Sequence, residues 1–286
     1  MFISVFFRRF LKVFSIILLC LFTLIYGLFY FYTSPKSDKA ILSEFEDVSL
    51  NPKISYHNFN NLKYRKLSIV NDTVLPTIVF VHGTIGSCLD FVKYMKDSMI
   101  YSKANFVSYD RVGYNYDDAN DVQESIAFER DMLQSITKDL PKNKTVVVGY
   151  SYGGPIVLAD TTRYKKAVLL APAVFSNREV MPWLLNFYQW KATRWLVPPI
   201  WKQAAKEKLS HKNDLKVFEK HWNQNSNEIL AIHGENDDLV PYANSEKLAA
   251  QFPKEQFELI QIRRGDHGII WNRFDFIREQ LILCLN

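Results

Sequence analysis

Residues 145–154, TVVVGYSYGG, carry the pattern from which the fold class follows. The first four are β-branched, which favours a strand, and Gly149 and Gly153 then flank Ser151 in the arrangement G-x-S-x-G. In a sharp turn from strand to helix the serine occupies a strained corner, so the residues two before and two after it must be small. An ordinary turn can carry the same pattern by chance, but its position directly after an apolar strand favours a nucleophilic serine.

A nucleophilic serine needs a histidine to remove its proton and a carboxylate to orient that histidine. Both follow downstream, Asp237 in IHGENDDLVP and His267 in RRGDHGI, each directly after an apolar run. Parallel strands bring their carboxyl ends to one edge of a sheet, where functional loops collect. We therefore predict Ser151, Asp237 and His267 as the catalytic residues. Asp238 is an alternative acid, and Asp266 is expected to be a solvated neighbour.

The remaining downstream and upstream histidines are less suited to act as the base. His57 lies near the start of the domain, and His233 immediately precedes the loop that carries the acid. His211 and His221 lie in a long insertion between two predicted strands. His267 is therefore the preferred base.

A second loop is expected to supply the oxyanion hole. The run TIVFV leads into His82, Gly83 and Thr84, and a loop at the end of a strand can direct backbone N–H groups at a developing oxyanion. We expect the amides of Thr84 and Tyr152 to be the donors, whatever their side chains, and His82 to pack the loop.

Short β-rich runs alternate with longer helical patterns, which indicates an α/β fold. Because the runs are continuously apolar, we predict strands buried on both faces, in a mostly parallel sheet covered by helices. Val122–Leu140 has helical spacing and ends at Pro141, and 56–70 is typical of an opening antiparallel hairpin. The six predicted strands are Thr77–Val81, Asn105–Tyr109, Thr145–Val148, Ala167–Leu170, Glu228–Ile232 and Phe257–Ile262.

The segment at about 172–227 separates two predicted strands by far more than the dozen or so residues of a usual crossover. We interpret it as an inserted helical cap, and it holds five of the six tryptophans. Part of this aromatic content is expected to pack on the domain beneath, since WLLNFYQW has helical spacing. The alternative is that several rings line an apolar acyl pocket or face a bilayer.

Residues 13–32 carry no charge and are rich in Leu, Ile, Phe and Tyr. A helix of that length rises ~30 Å, enough to cross the hydrocarbon layer, so we predict that 1–32 is a cytoplasmic stub with a single-pass transmembrane helix. A cleaved signal peptide and a buried core helix are the alternatives. The apolar stretch is longer than a signal core, and TSPKSDKA lacks a convincing cleavage site.

Basic residues predict the orientation of the span. More precede it than follow it, which favours a cytoplasmic N terminus and a catalytic domain on the periplasmic or extracellular side. Residues 33–53 are polar and contain two prolines, which is typical of a tether, and the domain is expected over 54–286. The charges in question are Arg8, Arg9 and Lys12 before the span and Lys36 and Lys39 after it.

Composition excludes several classes of function. The formal net charge is +5, and the part after the span carries only about +2, which gives no argument for nucleic-acid binding. Cys20, Cys88 and Cys284 have neither the number nor the spacing of a disulfide framework or a CxxC site. The sequence contains no GxxxxGK or GxGxxG motif and no histidines at metal-ligand spacing. It therefore gives no support for an NTPase, a dehydrogenase or a metalloenzyme.

Five motifs, GYSYG, VHGT, YDRVGY, HGENDDLVP and GDHG, resemble those of the α/β-hydrolase superfamily in its capped, single-domain branch. The resemblance covers about 54–283 and implies the α/β-hydrolase fold. It implies His267 as base and Asp237 rather than Asp238 as acid, because the family acid lies three residues after the glycine of HGxxD and ahead of a VP pair. YDRVGY is assigned a structural role without catalytic duty.

The same resemblance implies Ser151 as nucleophile and the amides of Thr84 and Tyr152 as oxyanion hole. Relatives that split carbon–halogen bonds or epoxides have an aspartate at the nucleophile position, so a serine there implies acyl transfer. Gly149 and Gly153 would form the nucleophile turn.

The sequence thus predicts a serine hydrolase of the carboxylesterase or lipase type. It would cleave an ester-like bond of a hydrophobic small molecule or lipid through an acyl-enzyme, without a metal or organic cofactor. A membrane-anchored acyltransferase with the same triad and a catalytically silent binding protein are the alternatives. A peptidase is less consistent with the sequence, because no acidic anchor for a substrate amino terminus is identifiable. The oligomeric state stays open.

Overall fold

The computed structural model describes residues 2–116 and 120–286. Within them one sheet contains β1 (Lys53–Phe59), β2 (Leu62–Ile69), β3 (Thr77–Val81), β4 (Asn105–Tyr109), β5 (Thr145–Tyr150), β6 (Lys166–Leu170), β7 (Ile229–Gly234) and β8 (Phe257–Ile262). The strand order is β1-β2-β4-β3-β5-β6-β7-β8. β1 and β2 form an antiparallel hairpin and β2 runs antiparallel to β4, whereas all other neighbours are parallel. The predicted hairpin and mostly parallel sheet are confirmed.

The described helices lie before, between and after these strands. They are α1 (Phe2–Thr33), α2 (Asp38–Ser43), α3 (Val92–Lys96), α4 (Ser98–Tyr101), α5 (Ile126–Thr137), α6 (Gly153–Ala159), α7 (Leu185–Gln189), α8 (Pro199–Phe218), α9 (Ala243–Ala249), α10 (Ile269–Asn272) and α11 (Phe274–Leu285).

The side chains of β3 explain why the central strands lack alternation. Ile78 and Phe80 join a buried cluster with residues of α3 and α11, whereas Val79 and Val81 join a second cluster with residues of α5 and α6. Successive side chains of a strand point to opposite faces, so a strand covered on both faces must be apolar at every position. The prediction of a sheet covered by helices on both faces is confirmed.

Strand boundaries are predicted to within two residues, but the helix expected at Val122–Leu140 is shorter. α5 begins at Ile126 because Ser125 has extended backbone and its hydroxyl accepts a hydrogen bond from the Phe128 amide at 3.2 Å, which caps the helix. Val122 instead packs with Tyr114 below the cap.

The segment 172–227, interpreted above as a cap, lies between β6 and β7 and contains α7 and the long helix α8. Its tryptophans have different environments. Trp222 is buried and donates a hydrogen bond to the Val174 carbonyl at 3.0 Å, so it packs on the domain. Trp183, Trp190 and Trp195 are exposed.

Helix α1 is long and apolar enough to cross a membrane. Its stretch Phe6–Thr33 has a mean hydropathy of 2.4 and none of its most apolar window is buried, unlike a core helix. The Phe29 ring, four residues from the end of the helix, packs 5.4 Å from the Trp201 ring at the start of α8. The candidate membrane span therefore contacts the cap.

The segment 33–53, expected to be a tether, packs against the sheet over part of its length. Ile41 of α2 and Phe45 are buried in the core. The guanidinium of buried Arg65 donates to the Lys36 carbonyl at 2.8 Å and pairs with Asp38 at 2.9 Å. The chain is thus attached to the domain before β1 begins.

Candidate active site

Ser151 occupies the turn between β5 and α6. Its φ angle of +52° lies in the left-handed region, which a side chain other than glycine adopts only at some cost. The amide donates to the Leu170 carbonyl at 2.9 Å, and the Ser151 carbonyl accepts hydrogen bonds from the amides of Gly154 and Ala173. These bonds hold the strained turn and raise the serine above the end of the sheet.

The two glycines of this turn are required by close backbone contacts. A Cβ at Gly149 would lie 2.3 Å from the Gly153 carbonyl oxygen, and a Cβ at Gly153 would lie 2.3 Å from the Val81 carbonyl oxygen. Both distances are far below van der Waals contact. A larger residue at either position would displace Ser151.

Three predicted residues meet in one hydrogen-bonded row. Ser151 Oγ lies 3.0 Å from His267 Nε2, and His267 Nδ1 lies 2.7 Å from Asp237 Oδ2. The row joins the ends of β5, β7 and β8, which the parallel sheet brings to one edge. A serine, an imidazole and a carboxylate in this order can transfer a proton away from the serine hydroxyl.

Asp237 is held in its ionised form. Its Oδ1 accepts hydrogen bonds from the amides of Leu239 at 3.0 Å and Val240 at 2.8 Å. Burial opposes ionisation, but the hydrogen bonds from His233 and His267 outweigh it and keep the pKa of Asp237 well below its usual range. The alternative acid, Asp238, is exposed to solvent.

His233 contributes to the site in a way that the sequence analysis missed. It is buried, with Nε2 2.8 Å from the Val240 carbonyl and 3.3 Å from Asp237 Oδ2, and with Nδ1 2.7 Å from Ser245 Oγ. A proton on Nε2 faces both oxygens, while Nδ1 accepts from the serine hydroxyl. Its position at the end of β7, just before the acid loop, was the available signal.

The loop that carries His267 is positioned by two further groups. The Tyr150 hydroxyl donates to the His267 carbonyl at 2.9 Å, and the two rings lie 5.2 Å apart. Asp266 is exposed, and its carboxylate accepts from the Gly268 amide at 2.9 Å and from Asn272 Nδ2 at 3.1 Å. Asp266 therefore caps the turn that precedes α10 and does not join the row.

The predicted oxyanion donors lie beside the serine. Tyr152 directly follows it, and Thr84 lies on the loop after β3, where a Cβ at Gly83 would be 2.9 Å from Ser151 Cβ. Over residues 2–116 and 120–286, neither the Thr84 amide nor the Tyr152 amide donates to another protein group. Both N–H groups are available to a ligand.

His82 packs this loop from within the core. Its Nδ1 lies 2.7 Å from the Gly83 carbonyl and its Nε2 accepts from the Arg111 amide at 3.0 Å. Burial and the nearby Arg111 charge lower the pKa of His82 well below its usual range, so the ring is neutral. Among the described residues, His82 has no contact that would let it transfer a proton to Ser151.

A buried ion pair connects the cap to the same loop. Arg111, from the YDRVGY motif, pairs with Glu207 of α8 through Nη1–Oε1 at 2.5 Å and Nη2–Oε2 at 2.9 Å. Glu207 Oε2 also accepts from the hydroxyls of Thr84 at 2.6 Å and Tyr114 at 2.9 Å. The sequence analysis did not identify Glu207, because nothing local distinguishes it from the other charged residues of α8.

A cavity of about 410 Å³ opens in front of Ser151 and His267, between the sheet edge and the cap. Its volume is that of a small-molecule site. Most of its lining is apolar: Ile85, Ala173, Val180, Pro182, Leu184, Leu185, Val197, Trp201, Ala204, Ala205, Leu239 and Val240.

Comparisons with known proteins relate this fold to hydrolases. A model of the prolyl oligopeptidase family matches residues 107–283. No curated protein matches the chain. Three of the similar solved structures are an esterase, a putative lipase and a membrane phospholipase A.

The esterase is from Exiguobacterium antarcticum and is 15% identical, with a TM-score of 0.65 over 81% of this chain and 98% of that one. The putative lipase is from Acinetobacter baumannii and is 14% identical, with a TM-score of 0.64 over 87% and 96%. The phospholipase, described as a novel bacterial virulence factor, is 14% identical, with a TM-score of 0.58 over 96% and 98%. At these identities the likeness establishes the fold alone.

Proposed function

The chain belongs to the prolyl oligopeptidase family, within the α/β-hydrolase superfamily, and from this premise we propose that it is a serine hydrolase of hydrophobic esters. The substrate would be an ester of an apolar small molecule or of a lipid. The proposal rests on the hydrogen-bonded row Ser151–His267–Asp237, whose serine end opens into an apolar cavity.

In the proposed acylation step, His267 Nε2 accepts the proton of the Ser151 hydroxyl as Oγ attacks the ester carbonyl. The Asp237 carboxylate, 2.7 Å from His267 Nδ1, stabilises the imidazolium that forms. The amides of Thr84 and Tyr152 donate to the tetrahedral oxyanion. His267 then gives its proton to the leaving alcohol, and the acyl group remains bound to Ser151 Oγ.

Deacylation follows the same path with water as the nucleophile. His267 Nε2 takes a proton from water as the oxygen attacks the acyl-enzyme carbonyl, and returns it to Ser151 Oγ when the acid leaves. Every proton transfer uses His267, so no metal or organic cofactor is needed for this chemistry.

Peptide-bond cleavage, which the name of the family suggests, is the second candidate function. The carboxylates of the cap argue against an aminopeptidase-like site, because each is already engaged by a protein group and none is free to pair with a peptide amino terminus. Glu179 pairs with Lys208 and His211, Glu207 with Arg111, Asp214 with the Ile126 amide and Glu219 with Ser176. The apolar cavity lining supports an ester with a hydrophobic acyl or alcohol part.

We further propose that α1 anchors the enzyme in a membrane, with a cytoplasmic N terminus and the catalytic domain on the periplasmic or extracellular side. The contact between Phe29 near the end of α1 and Trp201, which also lines the cavity, supports an anchor that lies next to the cavity. The orientation rests on the excess of basic residues before the span. Such an anchor would keep the cavity close to the membrane surface, where hydrophobic esters concentrate.

The test uses the full chain in detergent with p-nitrophenyl esters of graded acyl length. We expect turnover that Ser151→Ala lowers by about 1,000-fold or more, with an unchanged circular dichroism spectrum, while Ser102→Ala at an exposed position has no effect. A fluorophosphonate probe should label the wild type and not Ser151→Ala.

Other outcomes separate the alternatives. Persistent turnover by Ser151→Ala would contradict the assignment, and absence of both labelling and turnover would indicate a binding protein. Ester products of added alcohols in excess of free acid would indicate an acyltransferase. Faster cleavage of proline-containing peptide p-nitroanilides than of any ester would favour the peptidase.

A further inference from the structure

The part of the cap that leads into α8 carries exposed aromatic rings. Trp183, Trp190 and Trp195 have exposed fractions of 66%, 54% and 71%. The Phe187 ring lies 5.6 Å from the ring of Trp183 and 6.2 Å from that of Trp190, so these three rings form one continuous apolar surface. Large apolar side chains grouped on a surface indicate contact with another molecule or with a membrane. We call residues 180–206 the cap arm.

The cap arm carries charges of one sign only. It contains four basic residues, Lys191, Arg194, Lys202 and Lys206, and no Asp or Glu. Lys206 pairs with Asp121 at 2.6 Å, whereas the other three form no ion pair within 2–116 and 120–286. Aromatic rings beside unpaired basic residues are typical of segments that lie in the headgroup region of a bilayer, where the rings reach the acyl chains and the cations attract anionic lipids.

The contact with α1 sets the depth of the cap arm relative to a membrane. Residues 13–32 of α1 are uncharged and have the length of the hydrocarbon layer. Trp201 of the cap arm packs 5.4 Å from the ring of Phe29, which lies within this stretch. At ~1.5 Å per residue, Phe29 is only about 5 Å from the end of the stretch. A domain surface that packs on Phe29 therefore touches the bilayer that α1 would span.

The chain that leaves α1 is held at the sheet edge that carries the candidate site. Arg65 donates to the carbonyl of Lys36, three residues after α1, at 2.8 Å and pairs with Asp110 at 2.6 Å. Asp110 directly follows β4, so it lies at the carboxyl ends of the parallel strands, as Ser151 does. The end of α1 and the cavity are therefore on the same side of the domain.

The opening of the cavity lies beside the exposed rings. Leu184 and Leu239 line the cavity and are more than half exposed, so they lie where it opens. Leu184 directly follows Trp183, and Trp201 both lines the cavity and contacts α1. An ester dissolved in the bilayer would reach this opening without passing through water.

We propose that the cap arm is a second membrane-binding surface, which places Trp183, Trp190 and Trp195 in the headgroup region of the bilayer that α1 spans and directs the cavity opening toward the lipid. The partner is a lipid surface, and the unpaired basic residues favour anionic headgroups. This inference rests on the proposed anchor and hydrolase function, and it identifies the bilayer as the phase from which the substrate enters.

Tryptophan fluorescence tests the contact directly, because every tryptophan of the chain lies after residue 182 and α1 has none. The full chain is reconstituted into vesicles of phosphatidylcholine and phosphatidylglycerol, with and without brominated acyl chains, which quench the rings that touch them. We expect strong quenching, and we expect the triple variant Trp183→Phe, Trp190→Phe, Trp195→Phe to lose at least half of the quenched signal. Trp222→Phe, which removes a buried ring, is the control and should leave the quenched signal unchanged.

Flotation of the same vesicles separates the cap arm from the anchor. A chain that floats without quenching, or with equal quenching in the triple variant, would overturn the surface and leave the anchor standing. A chain that does not float would refute both. Cross-linking between the cap arms of two copies, without quenching, would assign the rings to self-association instead. Equal quenching in vesicles of phosphatidylcholine alone would refute the role of the basic residues.

A second test measures delivery of the substrate. Trp183, Trp190 and Trp195 lie outside the cavity lining, so their joint replacement by serine should leave kcat/KM for the water-soluble p-nitrophenyl butyrate unchanged. For p-nitrophenyl palmitate carried in vesicles, we expect turnover to fall by about 10-fold or more. The matched control is Val74→Ser, an exposed apolar position before β3 at the opposite edge of the sheet, which should lower neither rate.

The two esters also separate this inference from the hydrolase function. Equal losses on both esters, or no loss on either, would contradict delivery through the cap arm while leaving the hydrolase function standing. Lipid quenching by a chain that hydrolyses neither ester would support the membrane-binding surface and refute the hydrolase function.

Discussion

Asp237 shows how several hydrogen-bonding groups fix one side chain. Two backbone amides fix one of its oxygens, and His233 and His267 contact the other. His233 is itself held by Ser245. The carboxylate thus has no freedom to rotate away from His267, which is the property that a proposed orienting acid requires.

A second buried acid has its pKa shifted in the opposite direction. Glu129 of α5 and Glu207 of α8 share the single guanidinium of Arg111. Burial and the neighbouring Glu207 outweigh the attraction of Arg111 and raise the pKa of Glu129 to about 7. Its Oε2, which has no partner among the described residues, is available to carry the proton.

This shift predicts a pH dependence of stability. In the unfolded chain Glu129 titrates near 4.5, so between that pH and about 7 the native state binds the extra proton and stability falls as pH rises. The full effect is about 3 kcal/mol. We expect the melting temperature of the wild type to fall more steeply between pH 5 and pH 8 than that of Glu129→Gln.

The control for this experiment is Glu255→Gln, at an exposed position. It should melt with the same pH dependence as the wild type. Identical pH profiles for Glu129→Gln and the wild type would contradict the assignment of a protonated Glu129.

Helix α8 connects three parts of the site. Glu207 binds Arg111 and the Thr84 hydroxyl on the oxyanion loop, and the next residue, Lys208, lines the cavity. A shift of this helix would therefore move the cavity wall and the Thr84 loop together. The cap is coupled to the proposed chemistry by a buried ion pair and not only by apolar packing.

Glu207→Gln is expected to weaken both stability and turnover. Breaking a buried pair by removing one charge leaves the other uncompensated, at a cost of about 3 kcal/mol. Thr84→Val, which removes the hydroxyl and keeps the Arg111 pair, should lower kcat with little change in the melting temperature. The measurements are thermal melting and kcat for a p-nitrophenyl ester.

The two variants together distinguish stabilisation of the cap by the ion pair from positioning of the Thr84 loop by Glu207. If Thr84→Val matches the wild type in kcat, the Glu207–Thr84 bond does not position the loop. If Glu207→Gln melts with the wild type, the ion pair does not stabilise the cap.

The molecule as a whole combines an apolar N-terminal helix with a domain whose boundary lies before β1. The first 33 residues contribute no buried side chain among those described, whereas Ile41 and Phe45 belong to the main core. The segment that carries Ile41 and Phe45, ahead of β1, is therefore part of the folded domain.

Truncation tests this boundary and the anchor. The full chain should remain with membranes after carbonate washing, and a chain beginning at residue 34 should be released in soluble, folded form. A chain beginning at residue 54 loses the burial of Ile41 and Phe45, so we expect it to be less stable by several kcal/mol and to melt at lower temperature.

Two results would contradict these expectations. Carbonate extraction of the full chain would argue against a membrane span, and equal melting of the two shortened chains would show that α2 adds nothing to the core. Neither result bears on the chemistry at Ser151.

Local patterns were sufficient to predict six of the strands and the opening hairpin, but not the order of the strands in the sheet. The bounds of β3, β4 and β8 were predicted without error. β3 is buried at every position because a strand covered on both faces needs apolar side chains throughout. β8 lies at the edge of the sheet and exposes Glu258 and Gln261. The start of α5 was predicted too early. The apolar spacing begins at Val122, but Ser125 is the N-cap residue, so the helix begins only at Ile126.

The candidate site was predictable where a short motif itself determines the local backbone conformation. Gly149 and Gly153 mark Ser151 as the residue of a sharp turn. Asp237 and His267 stand in short motifs directly after β7 and β8. Each residue of the row was therefore identified from its immediate sequence neighbours. Their catalytic roles stay predictions until Ser151→Ala is assayed.

The amino-acid pattern alone therefore specified the sheet, its covered faces and the three side chains proposed to react. The folded chain was needed to reveal the partners: His233 beneath Asp237, Glu207 across from Arg111, and Glu179 between Lys208 and His211. Arg111 and Glu207 are 96 residues apart in the chain, and Glu179 and Lys208 are 29 apart. Contacts between such positions depend on how the cap packs on the sheet edge, and local sequence patterns do not encode that packing. His233 and Asp237 are only four residues apart, but their contact depends on the path of the loop after β7, which the sequence pattern does not specify.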